Sequence, residues 1–237
     1  MTRSLVVSHL WHNCWRMFRR KLVLAGSILC LLAPALSQDT VTPTITFTFD
    51  FPGSTPDHYV IAVSQDGSST YDSDGKLSAD SAPGDPFHME FRLSQAARIR
   101  FFDLATRAHD FEGQIDSKNK KIAFTGAKIL TYTDGQKKTS ASYNYSPVAA
   151  VQDLTTFFQT LANTLEFGHR LENDLRYQKL ALDDELKRME QLLNDGNLGE
   201  IYVVTPILQK IVDDPAAMKV VRVRAQRLLQ LASSGKN

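Results

Sequence analysis

Residues 44–51 read Thr-Ile-Thr-Phe-Thr-Phe-Asp-Phe, a strict alternation that sends Ile45, Phe47, Phe49 and Phe51 to one face of an extended chain and Thr46, Thr48 and Asp50 to the other. Such a segment is a β-strand with one wet face, and the sheet that contains it must cover its phenylalanine side. The same period recurs at Phe87, Met89, Phe91 and Leu93, interleaved with His88, Glu90 and Arg92. A shorter run, Tyr59, Ile61 and Val63, ends at Asp66-Gly67, a favoured hairpin turn. Residues 120–145 read as a further hairpin about Asp134-Gly135, with Ile122, Phe124, Ile129, Tyr132, Tyr143 and Tyr145 as its packing residues. Tight turns imply antiparallel pairing.

Ser94 offers a hydroxyl to cap a helix over residues 95–109, whose apolar stripe is Ile99, Phe101, Phe102, Leu104, Ala105 and Ala108. Residues 72–86, rich in Ser, Asp, Gly and Pro, read as a loop. After Ser146-Pro147 the period changes. Val151, Leu154, Phe158, Leu161 and Leu165 follow three-and-four spacing, and Leu175, Leu182, Leu186, Met189 and Leu193 resume it, which predicts one long helix to residue 195 with a bend or break at Gly168. Two further helices are expected. One runs over residues 197–212, kinked or divided at Pro206, and the other starts at Asp214-Pro215, the two forming an antiparallel hairpin. The last segment carries Lys219, Arg222, Arg224, Arg227 and Lys236 without an acid, whereas residues 166–195 are acid-rich, so opposite charge either docks the two or both are solvated faces. The expected fold is α+β: an antiparallel sheet of about five strands with one packed helix over residues 38–146, then a long-helix and helical-hairpin region over 147–237.

The N-terminus has a different character. Arg16, Arg19, Arg20 and Lys21 precede an apolar run over residues 22–36 that closes on Ala35-Leu36-Ser37. Interrupted by Pro34, this run is shorter than the ~20 residues a membrane-spanning helix needs. Residues 1–37 are therefore expected to be a secretory signal peptide cut between Ser37 and Gln38, giving a periplasmic or secreted protein that meets the membrane only before cleavage. Met17 begins a conventional signal by itself, so residues 1–16 are expected to be upstream sequence. Both cysteines lie in this segment, with five of the 27 basic residues and none of the 26 acidic ones, so the chain from Gln38 onward has a net charge of −4 and no thiol. That excludes disulfides, thiolate nucleophiles and cysteine-ligated zinc, and it removes the electrostatic attraction that nucleic acid requires. With 43% hydrophobic and 22% charged residues, a globular core must hold the fold.

Chemistry is sparsely signalled. Asp50 and the row His88, Glu90 and Arg92 occupy wet strand faces and are the candidate ligand-binding residues, converging if their strands are neighbours; solvated strand residues look the same. His88 and Glu90 alone are too few for a zinc site of ~four ligands. The stretch Asp72-Ser73-Asp74-Gly75 resembles part of a calcium loop, but Thr70 and Ser81 stand where carboxylates are needed, and an acidic turn is expected. No nucleophile elbow, phosphate-binding loop or zinc-protease motif is present, and His58, His109 and His169 stand alone. No catalytic residue, metal or cofactor is assigned. Asn144-Tyr145-Ser146 fits a glycosylation sequon but is followed by Pro147.

Four phrases, Phe91-Arg92-Leu93-Ser94-Gln95-Ala96, Phe102-Asp103-Leu104-Ala105, Ile115-Asp116-Ser117-Lys118 and Tyr143-Asn144-Tyr145-Ser146-Pro147, give the chain a resemblance to a family of uncharacterised exported bacterial proteins. The resemblance implies export, a β-rich first half and a helical second half, and it carries no activity. The expected function is non-enzymatic: contact with an unidentified protein partner, or self-association, through the apolar seam of the helical half. Two alternatives stand beside it. One is an envelope hydrolase or small-ligand protein with its site on the sheet around His88 and Glu90. The other is an inhibitor of an envelope enzyme that inserts residues 72–86 into its target.

Overall fold

The alternating segment becomes β1, Thr44–Asp50, in the interior of a sheet, as the computed structural model shows; it describes residues 42–78, 86–135 and 137–234. The other strands are β2 His58–Ser64, β3 Ser68–Ser73, β4 Phe87–Arg92, β5 Ala127–Asp134 and β6 Lys137–Tyr143. All pairings are antiparallel in the order β4-β3-β2-β1-β5-β6, so the sheet has six strands where about five are expected. The additional one is β3, whose sequence Ser-Ser-Thr-Tyr-Asp-Ser holds a single large apolar residue, Tyr71. It takes Asp72 and Ser73 out of the expected loop. The expected signal peptide with its expected cleavage between Ser37 and Gln38, as well as Ser81 and Lys236, lies outside the described residues.

The last hairpin differs in register from expectation. Strand β5 starts only at Ala127, and it turns Lys128, Leu130 and Tyr132 toward the core face opposite Phe49, Phe47 and Ile45. Ile129 therefore points outward, and Phe124 and Tyr145 are exposed. Lys128 is buried with its ammonium donating to the carbonyl oxygens of Thr125, Gly126 and Asn144, each at 3.1 Å, so its charge is satisfied although burial lowers its pKa.

Helix α1, Gln95–Arg107, begins as predicted, with Ser94 Oγ accepting from the Ala97 amide at 3.1 Å. Its Phe101 and Leu104 are buried, whereas Ile99 faces solvent at 59% exposure. Helix α2 spans Ala149–Tyr177 and runs through Gly168 without a break. The chain leaves the helix at Gln178 and starts α3, Leu182–Asn194, whose first turn holds Asp183, Asp184 and Glu185, acids that favour a helix N-terminus. Residues 197–200 are not helical; a short 3-10 turn, Ile201–Val204, leads into α4, Thr205–Asp213, with Pro206 in its first turn, where its missing N–H costs nothing. Helix α5, Lys219–Ser233, packs on α3 and α4 and turns Val221, Ala225 and Leu228 inward while Val220 and Val223 stay exposed. Opposite charge does meet here: Arg224 donates to Asp183 at 2.9 Å and Glu190 at 2.7 Å, and Arg227 reaches Glu190 at 3.1 Å.

Gly168 is a packing glycine. A β-carbon there would lie 2.8 Å from Cγ1 of Val204, a stiff β-branched side chain with no exposure. Gly168→Ala gains about 1 kcal/mol of helix propensity. Overpacking costs about 1–3 kcal/mol. The variant is therefore expected to unfold at lower urea concentration than the wild type; equal or higher stability would show that the 3-10 turn is free to move.

Helix α2 crosses the strands instead of running along them. Thr155 is hydrogen-bonded to Tyr143 of β6, Phe158 stacks on Phe47 of β1, Glu166 meets Tyr71 of β3, and His169 stacks on Phe87 of β4. From Thr155 to His169 the helix rises ~21 Å. From β6 to β4 the sheet is ~24 Å wide, so one helix reaches both edges. On its other side α2 meets α3, α4 and the 3-10 turn, which leaves Leu161, Ala162 and the whole stretch from Thr164 to Gly168 buried. The apolar seam is thus core, continuous with the sheet's phenylalanine face across the change of period at Ser146-Pro147. No helix among the described residues is long and apolar enough to cross a membrane.

Candidate functional site

Helices cover one face of the sheet, and the opposite face holds every residue picked from the alternation. Asp50, His88, Glu90 and Arg92 all lie there, but they do not converge: β2 and β3 separate β1 from β4. Instead, Asp50 pairs across strands with His58 at 2.5 Å, and His88 pairs with Asp72 at 2.6 Å. Glu90 lies 3.9 Å from His88 Nε2, and Arg92 donates to the Asp66 carbonyl at 2.9 Å. Glu90 and Arg92 line an open hollow of about 480 Å³ with Ala62, Ser64 and Thr70; Asp50 and His88 do not. The hydrogen bond and charge of Asp72 raise the pKa of His88, so the pair is strongest with the ring protonated. His58, expected to stand alone, has the Asp50 carboxylate as its partner instead.

The centre of this outer face carries no charge. Across its middle row lie Ser140, Thr131, Thr46, Ala62 and Thr70, with Glu90 closing the row at the β4 edge; on one side it is flanked by Ile129, Thr48 and Val60, whose row continues into Asp72 and His88. Charge sits around this centre: Asp50 and His58 at one strand end, Asp72, His88 and Glu90 along the β3–β4 edge, and Lys138 and Arg92 at the corners of the other end. Asp74 is used locally, its carboxylate accepting from the amides of Asp57 at 2.9 Å, His58 at 3.2 Å and Lys76 at 3.0 Å. Among the described residues, no group of three or more His, Cys, Asp or Glu side chains is placed to hold a metal ion.

A second polar cluster lies inside. Glu166 is 3% exposed, and its Oε1 accepts hydrogen bonds from Tyr71 at 2.5 Å and Ser73 at 3.0 Å. Burial and the Glu166 charge raise the Tyr71 pKa far above its ordinary value, which keeps the phenol a donor. Oε2 has no hydrogen-bond partner among the described residues and faces His169 Nδ1, likewise unpartnered, at 3.7 Å. The His169 ring lies flat on Phe87, centroids 4.0 Å apart and planes 6° from parallel. Glu166 and His169 are one helical turn apart, which places both on the same side of α2. The sequence reading leaves His169 alone and passes over Glu166, Tyr71 and Ser73. The available signal was Glu166 itself, a carboxylate within a run of residues too apolar and small for a helix with a wet face. Comparison with protein-family models and with curated proteins found no match for the chain.

Proposed function

We propose that this is an exported, non-enzymatic protein that works by contact, and that its contact surface is the bare face of the sheet. The carrying observation is a six-stranded sheet that, among the described residues, has helices on one side only and a central row without charge inside the β4 edge on the other. Depletion of charge at the centre with charge at the rim is the compositional mark of protein interfaces. The seam residues Leu154, Phe158, Leu161 and Leu165 are packed in the core, which favours the sheet face as the surface over contact through the helical half. Export rests on the signal-like N-terminus and on the resemblance to exported bacterial proteins.

The occupant that fits is a second copy of this chain. Turning a copy over with its strands reversed sets the Arg92 end of one face above the Asp72 end of the other, so the surface is complementary to itself, as a two-fold interface requires. Glu90, at the β4 edge of the middle row, meets its own copy at the rim, where solvent screens the like charges. Six strands of about seven residues present roughly 600 Å². That approaches the ~800 Å² per partner of a stable interface. Light scattering over a concentration series tests this: the wild type is expected to reach dimer mass, and Thr46→Arg, which sets a charge at the centre of the face, is expected to stay monomeric with unchanged circular dichroism. A monomer at every concentration, or an unaffected dimer in the variant, overturns the reading.

A further inference from the structure

A hollow of about 600 Å³ opens where the end of α2 passes β4 and α4. Its size is that of a small-molecule pocket. His169 lines it, and this ring is held from two directions: its face lies on Phe87, and its Nδ1 edge is buried against the Glu166 carboxyl at 3.7 Å. Nε2 is then the ring nitrogen left for a ligand. Stacking on Phe87 and burial of the Nδ1 edge restrict the ring before anything binds, so less freedom is lost when something does.

The rest of the lining sets the chemistry. Arg176 and Lys210 supply two positive charges, and Glu172, 3.4 Å from Lys210, offsets one of them. The Glu166 carboxyl behind His169 adds a further acid, so the site suits a single negative charge and not a dianion, and the planar guanidinium of Arg176 matches the two oxygens of a carboxylate. Phe87, Tyr177 and Ile207 add an apolar wall, with Tyr177 exposed at 70%. A bare inorganic anion would leave that wall in water.

We propose that the hollow between α2, β4 and α4 binds a small organic monocarboxylate with an aromatic or branched apolar body, its charge on Arg176 and its carboxylate within reach of His169. The site is independent of the bare sheet face, which lies on the other side of the sheet.

Calorimetric titration of the protein with 3-phenylpropionate, 3-phenylpropan-1-ol and inorganic phosphate decides it. Saturable one-to-one binding of 3-phenylpropionate is expected, about tenfold or more tighter than that of the alcohol, with no saturable phosphate binding. Arg176→Ala, at an exposed position that leaves the fold intact, is expected to weaken it about tenfold, and His169→Gln by about fivefold or more. The proposal is overturned if 3-phenylpropionate does not bind saturably, if the alcohol or phosphate binds as well, or if Arg176→Ala binds like the wild type.

Discussion

Phe158→Ala is expected to lower the unfolding free energy by about 3–5 kcal/mol. Phe158 is fully buried where three elements meet: its ring stacks on Phe47 of β1, centroids 4.9 Å apart, and receives the edge of Phe101 of α1 at 4.7 Å. Truncation removes apolar burial and two aromatic contacts worth ~0.5–1.5 kcal/mol each beyond it. The cavity cannot close easily, because one wall is a paired strand and the other a helix anchored at both sheet edges. Thermal unfolding should fall by on the order of 10 °C. A loss below ~1.5 kcal/mol would mean that sheet and helices do not share one core.

Tyr71→Phe removes one hydroxyl and is expected to cost about 2–3 kcal/mol, more than a neutral hydrogen bond, since the acceptor is a buried carboxyl group left with Ser73 as its donor. Glu166→Leu is also expected to destabilise, because it leaves the Tyr71 hydroxyl buried without an acceptor. Removing both groups relieves both penalties. The double variant should therefore be at least as stable as either single one, with a coupling energy of ~1.5–3 kcal/mol in denaturant unfolding. Additive losses would show that the hydroxyl and the carboxyl do not depend on each other.

How far the sequence discloses this molecule depends on whether local pattern or tertiary contact decides each feature. The alternation at Thr44–Asp50, the Ser94 cap and the change of period after Pro147 are local, and each element starts within two residues of where it is read. Strand β3 is carried by pairing on both sides and by Tyr71 alone, so periodicity has nothing to count; the Asp66-Gly67 turn was the clue, since a hairpin turn demands a second strand. Ile129 and Lys128 look assigned to the wrong faces until three backbone carbonyls around the ammonium are visible, and those come from loops that no strand pattern describes. Gly168 has the propensity of a break and the role of a close contact, because Val204 approaches from 36 residues away. The candidate residues on the sheet were placed on the correct face, yet their partners, His58 and Asp72, follow from strand order, which wet-face alternation cannot supply.

One feature of the architecture bears on how the molecule comes into being. The sheet is complete at Tyr143, but the helix that covers it ends only at Tyr177. During synthesis, the nascent chain therefore carries an unshielded phenylalanine surface until some thirty further residues have emerged. Through that interval it is open to misassembly, and a chaperone that recognises aromatic strands has its window there.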